Sequence, residues 1–160
     1  SYGWIQDSRG YWFKKKDGSY YKAEWQKLDG EWYYFDSDGY AVTGWKQIGD
    51  KWYYFNSDCK MQTGWVSLNG RWFCLASDGS LYTSGVHEVD GKSYYFDADG
   101  VMHTGWVKVG DDWQYFKDDG TRVDKGIVKG DSVYIIKDGA LVTDDKVTVE
   151  ADKDGAISVM

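Results

Sequence analysis

The sequence predicts an all-β protein, a β-hairpin solenoid of about seven repeats, roughly 20 residues each, that ends in a C-terminal hairpin. Three observations carry this prediction. An aromatic pattern returns every 20 or 21 residues, strand-forming runs alternate with turns rich in Asp and Gly, and no segment shows sustained helical periodicity. We therefore expect few helices.

Four columns of residues define the repeat. The first column comprises Trp4, Trp25, Trp45, Trp65, Val86, Trp106 and Ile127. The second comprises Trp12, Trp32, Trp52, Trp72, Ser93, Trp113 and Val133. Two residues later the third comprises Lys14, Tyr34, Tyr54, Cys74, Tyr95, Tyr115 and Ile135. The turn column comprises Gly18, Gly39, Cys59, Gly79, Gly100, Gly120 and Gly139. We predict a repeat domain over residues 1–142 and a terminal segment over residues 143–160.

Each repeat reads as one hairpin and a linker. Residues 31–35 (Glu-Trp-Tyr-Tyr-Phe) are strand formers, residues 36–39 (Asp-Ser-Asp-Gly) are turn formers, and residues 40–42 can return as a second strand. The aspartates superficially suggest a calcium loop, but the later ligands of such a loop are missing, so turn chemistry is favoured. A single hairpin is marginal in water, whereas stacked hairpins cover each other's apolar faces.

The terminal segment predicts a last hairpin. From Lys146 to Met160 apolar residues alternate on both sides of a turn at residues 152–155. Two roles stay open for this hairpin: it caps the solenoid, or it forms the two-fold surface of a homodimer.

Composition excludes several classes of protein. The chain has 160 residues with 10 Trp, 14 Tyr and 6 Phe, so ring packing must supply much of the apolar burial. A net charge of -7 opposes nucleic acid as a partner and favours cations. We expect no membrane span and no signal peptide in this chain, because it has neither a long apolar run nor a charged-then-apolar N-terminal segment.

No constellation of residues predicts catalysis. His87 and His103 are the only histidines, and neither lies in a metal or triad spacing. We expect no catalytic residue, no metal and no cofactor. Cys59 and Cys74 are about five residues out of step along the hairpin, ~16 Å at strand rise. A disulfide needs Cα atoms within about 7 Å, so we predict two free thiols.

The tryptophan columns can serve as cages for a cation. Rings that face one point attract a cation that lacks hydrogen-bond donors, such as a quaternary ammonium, by roughly 0.5–2 kcal/mol each. Three rings correspond to about millimolar affinity, and several sites on one chain add avidity for a polymer. The alternative is that the rings only form a core. Non-aromatic residues such as Ser93 interrupt the columns without breaking the period, which favours the cage.

The repeated motif resembles the choline-binding, or cell-wall-binding, repeat family. It is clearest at residues 44–55 (Gly-Trp-Lys-Gln-Ile-Gly-Asp-Lys-Trp-Tyr-Tyr-Phe), with close copies at residues 24–35 and 105–116. The likeness is greatest to the C-terminal modules of amidase-type autolysins and phage lysins. It implies a left-handed solenoid that binds choline or phosphocholine on teichoic and lipoteichoic acids of streptococcal cell walls. It also implies an extracellular module that targets a larger lytic protein, such as an N-acetylmuramoyl-L-alanine amidase.

The resemblance also implies which residues bind choline. Sites in this family take both Trp residues of one repeat, the second Tyr of the next, and often a Met after its turn. Three sites are expected: Trp25, Trp32 and Tyr54 with Met61; Trp65, Trp72 and Tyr95 with Met102; and Trp4, Trp12 and Tyr34 with Ala41. Two pairs are weaker candidates: Trp45 and Trp52, which meet Cys74, and Trp106 and Trp113, which meet Ile135. No cage is expected at Val86 with Ser93 or at Ile127 with Val133.

Carbohydrate recognition is the alternative function. Related glucan-binding and toxin repeats would use the same rings to stack on sugars, and such sites need ordered polar side chains beside the rings.

Overall fold

The computed structural model describes residues 1–143 and 147–160, and strands are the only regular secondary structure in these ranges. Within them there is accordingly no helix with the length and apolar character needed to span a membrane. The predicted segment 143–160 includes residues 144–146, among them the predicted hairpin start at Lys146, and these three residues lie outside the described part of the chain. That domain division stays a prediction.

The strands pair as consecutive antiparallel hairpins in small separate sheets. The first four hairpins are β1 (Gly3–Gln6) with β2 (Tyr11–Lys14), β3 (Glu24–Leu28) with β4 (Glu31–Phe35), β5 (Gly44–Ile48) with β6 (Lys51–Phe55), and β7 (Gly64–Leu68) with β8 (Arg71–Leu75). The others are β9 (Gly85–Val89) with β10 (Lys92–Phe96) and β11 (Met102–His103), β12 (Gly105–Val109) with β13 (Asp112–Phe116), β14 (Gly126–Lys129) with β15 (Val133–Lys137) and β16 (Ala140–Leu141), and β17 (Val149–Ala151) with β18 (Ile157–Val159).

Contacts divide the chain into two compact units. One comprises Ser1–Val66 and Cys74–Leu81, the other Ser67–Phe73 and Tyr82–Met160. Each is built of hairpins with the same local design. In the second hairpin the two-residue tip, Asp29 and Gly30, has φ of +50° and +81°, which suits the twist of the flanking strands.

The Asp- and Gly-containing turns close by hydrogen bonds from backbone to side chain. Asp36 Oδ1 accepts the N–H groups of Asp38 and Tyr40 at 2.9 Å each, and Asn56 and Asp97 accept in the same way. These side chains serve as turn formers, as the sequence indicated.

Six of the eight described hairpins bury one side chain completely at or next to the end of the second strand. Phe35, Phe55, Phe96 and Phe116 are 0% exposed, and Leu75 and Ile136 take the same position in their hairpins. By contrast, Trp32, Trp52, Trp72 and Trp113 are about two-fifths exposed (39–46%). The second tryptophan column is therefore not the core, and the phenylalanine column is.

Neighbouring hairpins are joined by the residue that follows each turn. Its N–H donates to a carbonyl of the preceding hairpin: Met61 to Trp32 at 2.9 Å, Ala41 to Tyr11 at 2.8 Å, and Arg122 to Ser93 at 2.9 Å. Because this hydrogen bond recurs at the same position of successive repeats, it is consistent with the regular repeat length of 20 or 21 residues.

The same residue also packs on the next turn. A Cβ added to Gly79 would lie 2.3 Å from Met61 Sδ, and one added to Gly120 would lie 2.3 Å from Met102 Sδ. Cys59 occupies the turn position that holds Gly in other repeats, and its φ is +67°. Ala41 lies beneath the Cys59 side chain. The Cys59 thiol is 2% exposed and donates to the Ala41 carbonyl at 3.7 Å. Both cysteines are free thiols, as predicted.

This complementarity predicts a coupled pair of substitutions. Ala41→Met alone should destabilise the protein by about 1–3 kcal/mol, because the longer side chain competes with Cys59 for one space. Adding Cys59→Gly removes the clash and the positive-φ strain, so the double variant should recover most of the loss. Urea unfolding of the single and double variants measures this, and a coupling below about 0.5 kcal/mol would contradict it.

The terminal hairpin packs on the hairpin before it. Strand β18 contacts β14 and β15, and Val159 is 4% exposed. Other apolar side chains of this hairpin are exposed, namely Val149, Ile157 and Met160.

Candidate functional site

Strand pairing places two tryptophans on one face of the second hairpin. Trp25 lies opposite Tyr34 in the register, and Trp32 lies two residues before Tyr34, so all three side chains share that face. Tyr33 and Phe35 point to the other face. The Trp25 and Trp32 rings are 6.3 Å apart at 84°, so they form two walls of a corner.

The third hairpin closes this corner. The Tyr53 ring lies 4.9 Å from that of Trp25 at 73°. A cavity of about 300 Å³ is lined by Trp25, Trp32, Tyr53, Met61, Ser77 and Asp78. We call it the Trp25 cage.

One predicted member of the Trp25 cage differs. The sequence pointed to Tyr54, but Tyr54 lies opposite Trp45, with ring centroids 4.9 Å apart. Side chains alternate between the two faces of a strand, so a one-residue slip moves the side chain to the other face. Because Trp52 and Tyr54 share one face of the third hairpin, the ring that faces Trp25 is Tyr53.

The first hairpin shows a similar difference. Trp4 lies opposite Phe13, which places Trp12 opposite Ile5 and Tyr11 on the Trp4 face. Trp4 and Trp12 are eight residues apart instead of the seven between Trp25 and Trp32, and this extra residue turns Trp12 away. The Trp4 ring lies 4.8 Å from Tyr33.

The predicted third ring at Trp4 is also displaced by one residue. Tyr34 packs on Trp25, with ring centroids 5.3 Å apart. Trp4 therefore has Phe13, Tyr33 and Phe35 around it where Trp12 and Tyr34 were expected, and Ala41 follows the turn.

The sixth hairpin forms a corner of aromatic rings at a pair that the sequence indicated only as a weaker candidate. Trp106 and Trp113 share a face, and the Trp106 ring lies 5.2 Å from Tyr134 at 69°. This is nearly the geometry of Trp25 with Tyr53. Ile135, which was expected here, lies opposite Ile127. We call the Trp106, Trp113 and Tyr134 group the Trp106 cage.

The other predicted site residues lie on the third, fourth and fifth hairpins. Trp45 and Trp52 share a face of the third hairpin, and Cys74 is buried on β8. Trp65 lies on β7 in the first unit. Trp72 on β8, Tyr95 on β10 and Met102 on β11 belong to the second unit.

An arginine network lies next to Ser93, the position at which the second tryptophan column is interrupted. Arg122 follows its turn as Met61 does, and its guanidinium donates to Asp124 Oδ1 at 2.8 Å and to Gln114 Oε1 at 3.3 Å. The Arg122 backbone N–H donates to Ser93. Here the chain's own cation lies where other hairpins present Met61 or Met102.

One carboxylate lines the Trp25 cage. The Ser80 hydroxyl and backbone N–H donate to Asp78 Oδ1 at 2.6 and 2.9 Å, and these bonds lower the pKa of the Asp78 carboxyl. Asp78 is therefore ionised at neutral pH. Lys51 Nζ is 3.9 Å away in an exposed pair, which screens little of that charge. The sequence did not single out Asp78, which lies in a later turn.

The described ranges also hold no cluster of three or more His, Cys, Asp or Glu residues that could bind a metal. The site is a set of aromatic rings with one acidic edge. A repeated hairpin with such corners defines the class of aromatic-cage repeat modules.

Comparison with known families identifies the class. The family model described as choline-binding repeat matches residues 22–45, 42–85 and 83–126. The chain belongs to the choline-binding repeat family, as its motifs indicated.

Solved structures agree with this assignment. Choline binding protein F from Streptococcus pneumoniae is 34% identical with a TM-score of 0.81, over 89% of this chain and 48% of that protein. The endolysin of phage Cp-1, complexed with choline, is 35% identical with a TM-score of 0.54, over 77% of this chain and 37% of the endolysin. The autolysin LytC from Streptococcus pneumoniae is 27% identical with a TM-score of 0.67, over 94% and 35%.

These neighbours confirm the predicted fold class, a β-hairpin solenoid. The chain spans about half or less of the length of each of them. No curated protein sequence matches the chain.

Proposed function

We propose that this chain is a non-catalytic cell-wall-binding module that holds choline residues of teichoic and lipoteichoic acids. The Trp25 cage carries the proposal, because it joins rings from two successive hairpins around a cavity of about 300 Å³. The Trp106 cage repeats this arrangement of rings. Trp4 with Tyr33 and Trp45 with Trp52 are proposed as further binding positions. Trp65 in the first unit and Trp72 in the second are each proposed as further binding residues.

The chemistry of the cage selects a quaternary ammonium. A trimethylammonium group has no N–H to donate, so ring faces are its best partners, each worth roughly 0.5–2 kcal/mol. The ionised Asp78 adds Coulomb attraction at the rim of the cage. The Met61 thioether supplies a polarisable wall. One such cage corresponds to about millimolar affinity, and several cages facing a choline-bearing polymer bind it more tightly.

The relatives support a surface location and a larger parent protein. They include an endolysin and an autolysin, and each is at least twice as long as the matched part of this chain. We propose that the module acts outside the cell and targets a wall-lytic protein of amidase type. This chain alone should release no fragments from labelled cell walls, and any release would overturn its non-catalytic role.

A homodimer through the terminal hairpin is a further part of this proposal. The exposed side chains of Val149, Ile157 and Met160 supply an apolar surface beside the buried Val159. Sedimentation should show a dimer that Ile157→Asp converts to monomer. An unmodified chain that sediments as a monomer at all concentrations would argue for a cap instead.

Tryptophan fluorescence during a choline titration tests the proposed function. The emission should change with a midpoint near millimolar choline, whereas sodium chloride at equal concentration should have no effect on it. A flat response up to about 50 mM choline would refute the proposal.

A further inference from the structure

A second cavity lies beside the first hairpin, and no cage residue contributes to it. It measures about 240 Å³ and is lined by Asp7, Trp12, Tyr20, Asp38 and Tyr40. We call it the N-terminal groove. It exists because Trp12 is turned away from the Trp4 face by the extra residue in its spacing.

The aromatic part of the groove is a platform. The Trp12 and Tyr20 rings meet at 5.9 Å and 77°. Tyr20 is fixed from below, since a Cβ on Gly39 would lie 2.6 Å from its ring. Tyr40 is tied to Trp12 by a backbone bridge. The platform is therefore held by strand pairing on one side and by a turn on the other.

The polar part of the groove is ordered by a hydrogen-bond network. The Tyr40 hydroxyl donates to Asp7 Oδ2 at 2.7 Å, and Arg9 Nη2 donates to Asp38 Oδ2 at 2.8 Å. The Arg9 backbone N–H donates to Asp7 Oδ1 at 2.9 Å. A carboxylate accepts up to about four hydrogen bonds, so Asp38 and Asp7 retain capacity for a ligand.

The positions of the chain's own cations oppose an ammonium ligand in this groove. The Arg9 guanidinium lies 4.4 Å from the centroid of the Tyr40 ring, and Lys22 Nζ lies 5.8 Å from that of Tyr20. Two of the three rings thus already carry a cation, which would repel a second one. In the Trp25 cage the lining residues include a carboxylate and no cationic side chain, and the nearby Lys51 is paired with that carboxylate.

We propose that the N-terminal groove is a saccharide subsite that takes one neutral pyranose ring. The apolar C–H face of the sugar packs on Trp12, and the sugar hydroxyls bond to the Asp38 carboxylate and the Arg9 guanidinium. Few, well-placed polar groups around an apolar wall are what orients a small ligand. The inference is independent of choline binding, because the groove and the Trp25 cage have no lining residue in common.

The test uses two uncharged probes, the β-1,4-linked N-acetylglucosamine tetramer and maltotetraose, with the cages saturated by choline. The indole N–H signal of Trp12, observed by NMR, should shift with at least one probe. Asp38→Asn should weaken that binding by about tenfold, since hydrogen bonds to charged groups are the strong ones. Asp58→Asn is the matched control, because Asp58 occupies the same turn position in the next repeat and does not line the groove.

The outcomes separate the two kinds of site. A Trp12 signal that neither tetrasaccharide moves at about 20 mM overturns the proposal. So does a Trp12 signal that responds to choline instead of sugar, or an equal effect of Asp38→Asn and Asp58→Asn. A sugar response of Trp12 supports the subsite even when Trp25 and Trp32 show no response to choline, so failure of the proposed function is seen separately.

Discussion

Replacing Trp32 with alanine is expected to weaken choline binding at the Trp25 cage and to leave the Trp106 cage intact. The Trp32 ring forms one of the two tryptophan walls of the cage and is 39% exposed, so its loss removes a cation–π contact without opening the core. One ring contributes roughly 0.5–2 kcal/mol. A site of about millimolar affinity then weakens by roughly 2- to 30-fold, to a midpoint of about 2–30 mM.

The measurement needs a signal from each cage. Fluorine NMR of protein labelled with 5-fluorotryptophan gives one signal per indole, and single Trp→Phe variants assign them. In Trp32→Ala the choline midpoint of the Trp25 signal should rise by roughly 2- to 30-fold, while the Trp106 signal should titrate unchanged. If both responses vanish together, Trp32 supports the fold and is not a wall of a local cage.

Two adjacent tyrosines give a matched control for this experiment. Tyr53 lines the Trp25 cage, and Tyr54 packs on Trp45 on the opposite face of the same strand. Tyr53→Ala should therefore remove the choline response of Trp25, and Tyr54→Ala should preserve it. The reverse result would restore the assignment made from the sequence motif.

The repeat period was sufficient to predict the fold from the sequence. A column of aromatic residues that returns every 20 or 21 positions, with Gly at six of the seven turns, predicts stacked hairpins. The structural neighbours confirm this class. The same columns pointed to Trp25, Trp32 and Met61, which line one cavity in the structure. Their binding of choline stays a prediction.

The structure places Tyr53 beside Trp25 where the motif pointed to Tyr54, because a motif fixes spacing but not the face of a strand. In Trp52-Tyr53-Tyr54 the alternation of side chains was readable from the sequence, and it would have assigned Tyr53. The position of Asp78 was not readable in that way. Its turn reaches the cage only through the packing of Met61 on Gly79, a contact between residues of different repeats.

The buried phenylalanine column was not predicted from the sequence, because Trp and Phe are both strand formers and the motif does not distinguish their burial. Trp52 and Phe55 lie on the same strand, but Trp52 is 42% exposed and Phe55 is 0% exposed. A strand of a stacked hairpin needs one residue that both neighbours cover, and the last residue of the Trp-Tyr-Tyr-Phe motif is that residue.

Phe55→Ala is expected to cause the largest loss of stability among substitutions in the first unit. Phe55 pairs with Gly44 and bridges to Met61, and its ring lies 5.7 Å from that of Trp25. Truncating a fully buried phenylalanine costs about 3–5 kcal/mol, because transfer free energy is lost and a cavity remains. Whole domains are stable by about 5–15 kcal/mol, so this one change removes a large share of the total.

Urea unfolding measures this effect, with Trp52→Ala as the control on the same strand. Trp52→Ala should cost no more than about 1 kcal/mol, because its ring is partly in solvent. Phe55→Leu should retain most of the stability, since it keeps volume in the core. Because Phe55 supports both Trp25 and Met61, Phe55→Ala should also lose the choline response of Trp25. Equal shifts of the urea midpoint in Phe55→Ala and Trp52→Ala would show that the exposed tryptophans, not the phenylalanine column, hold the hairpins together.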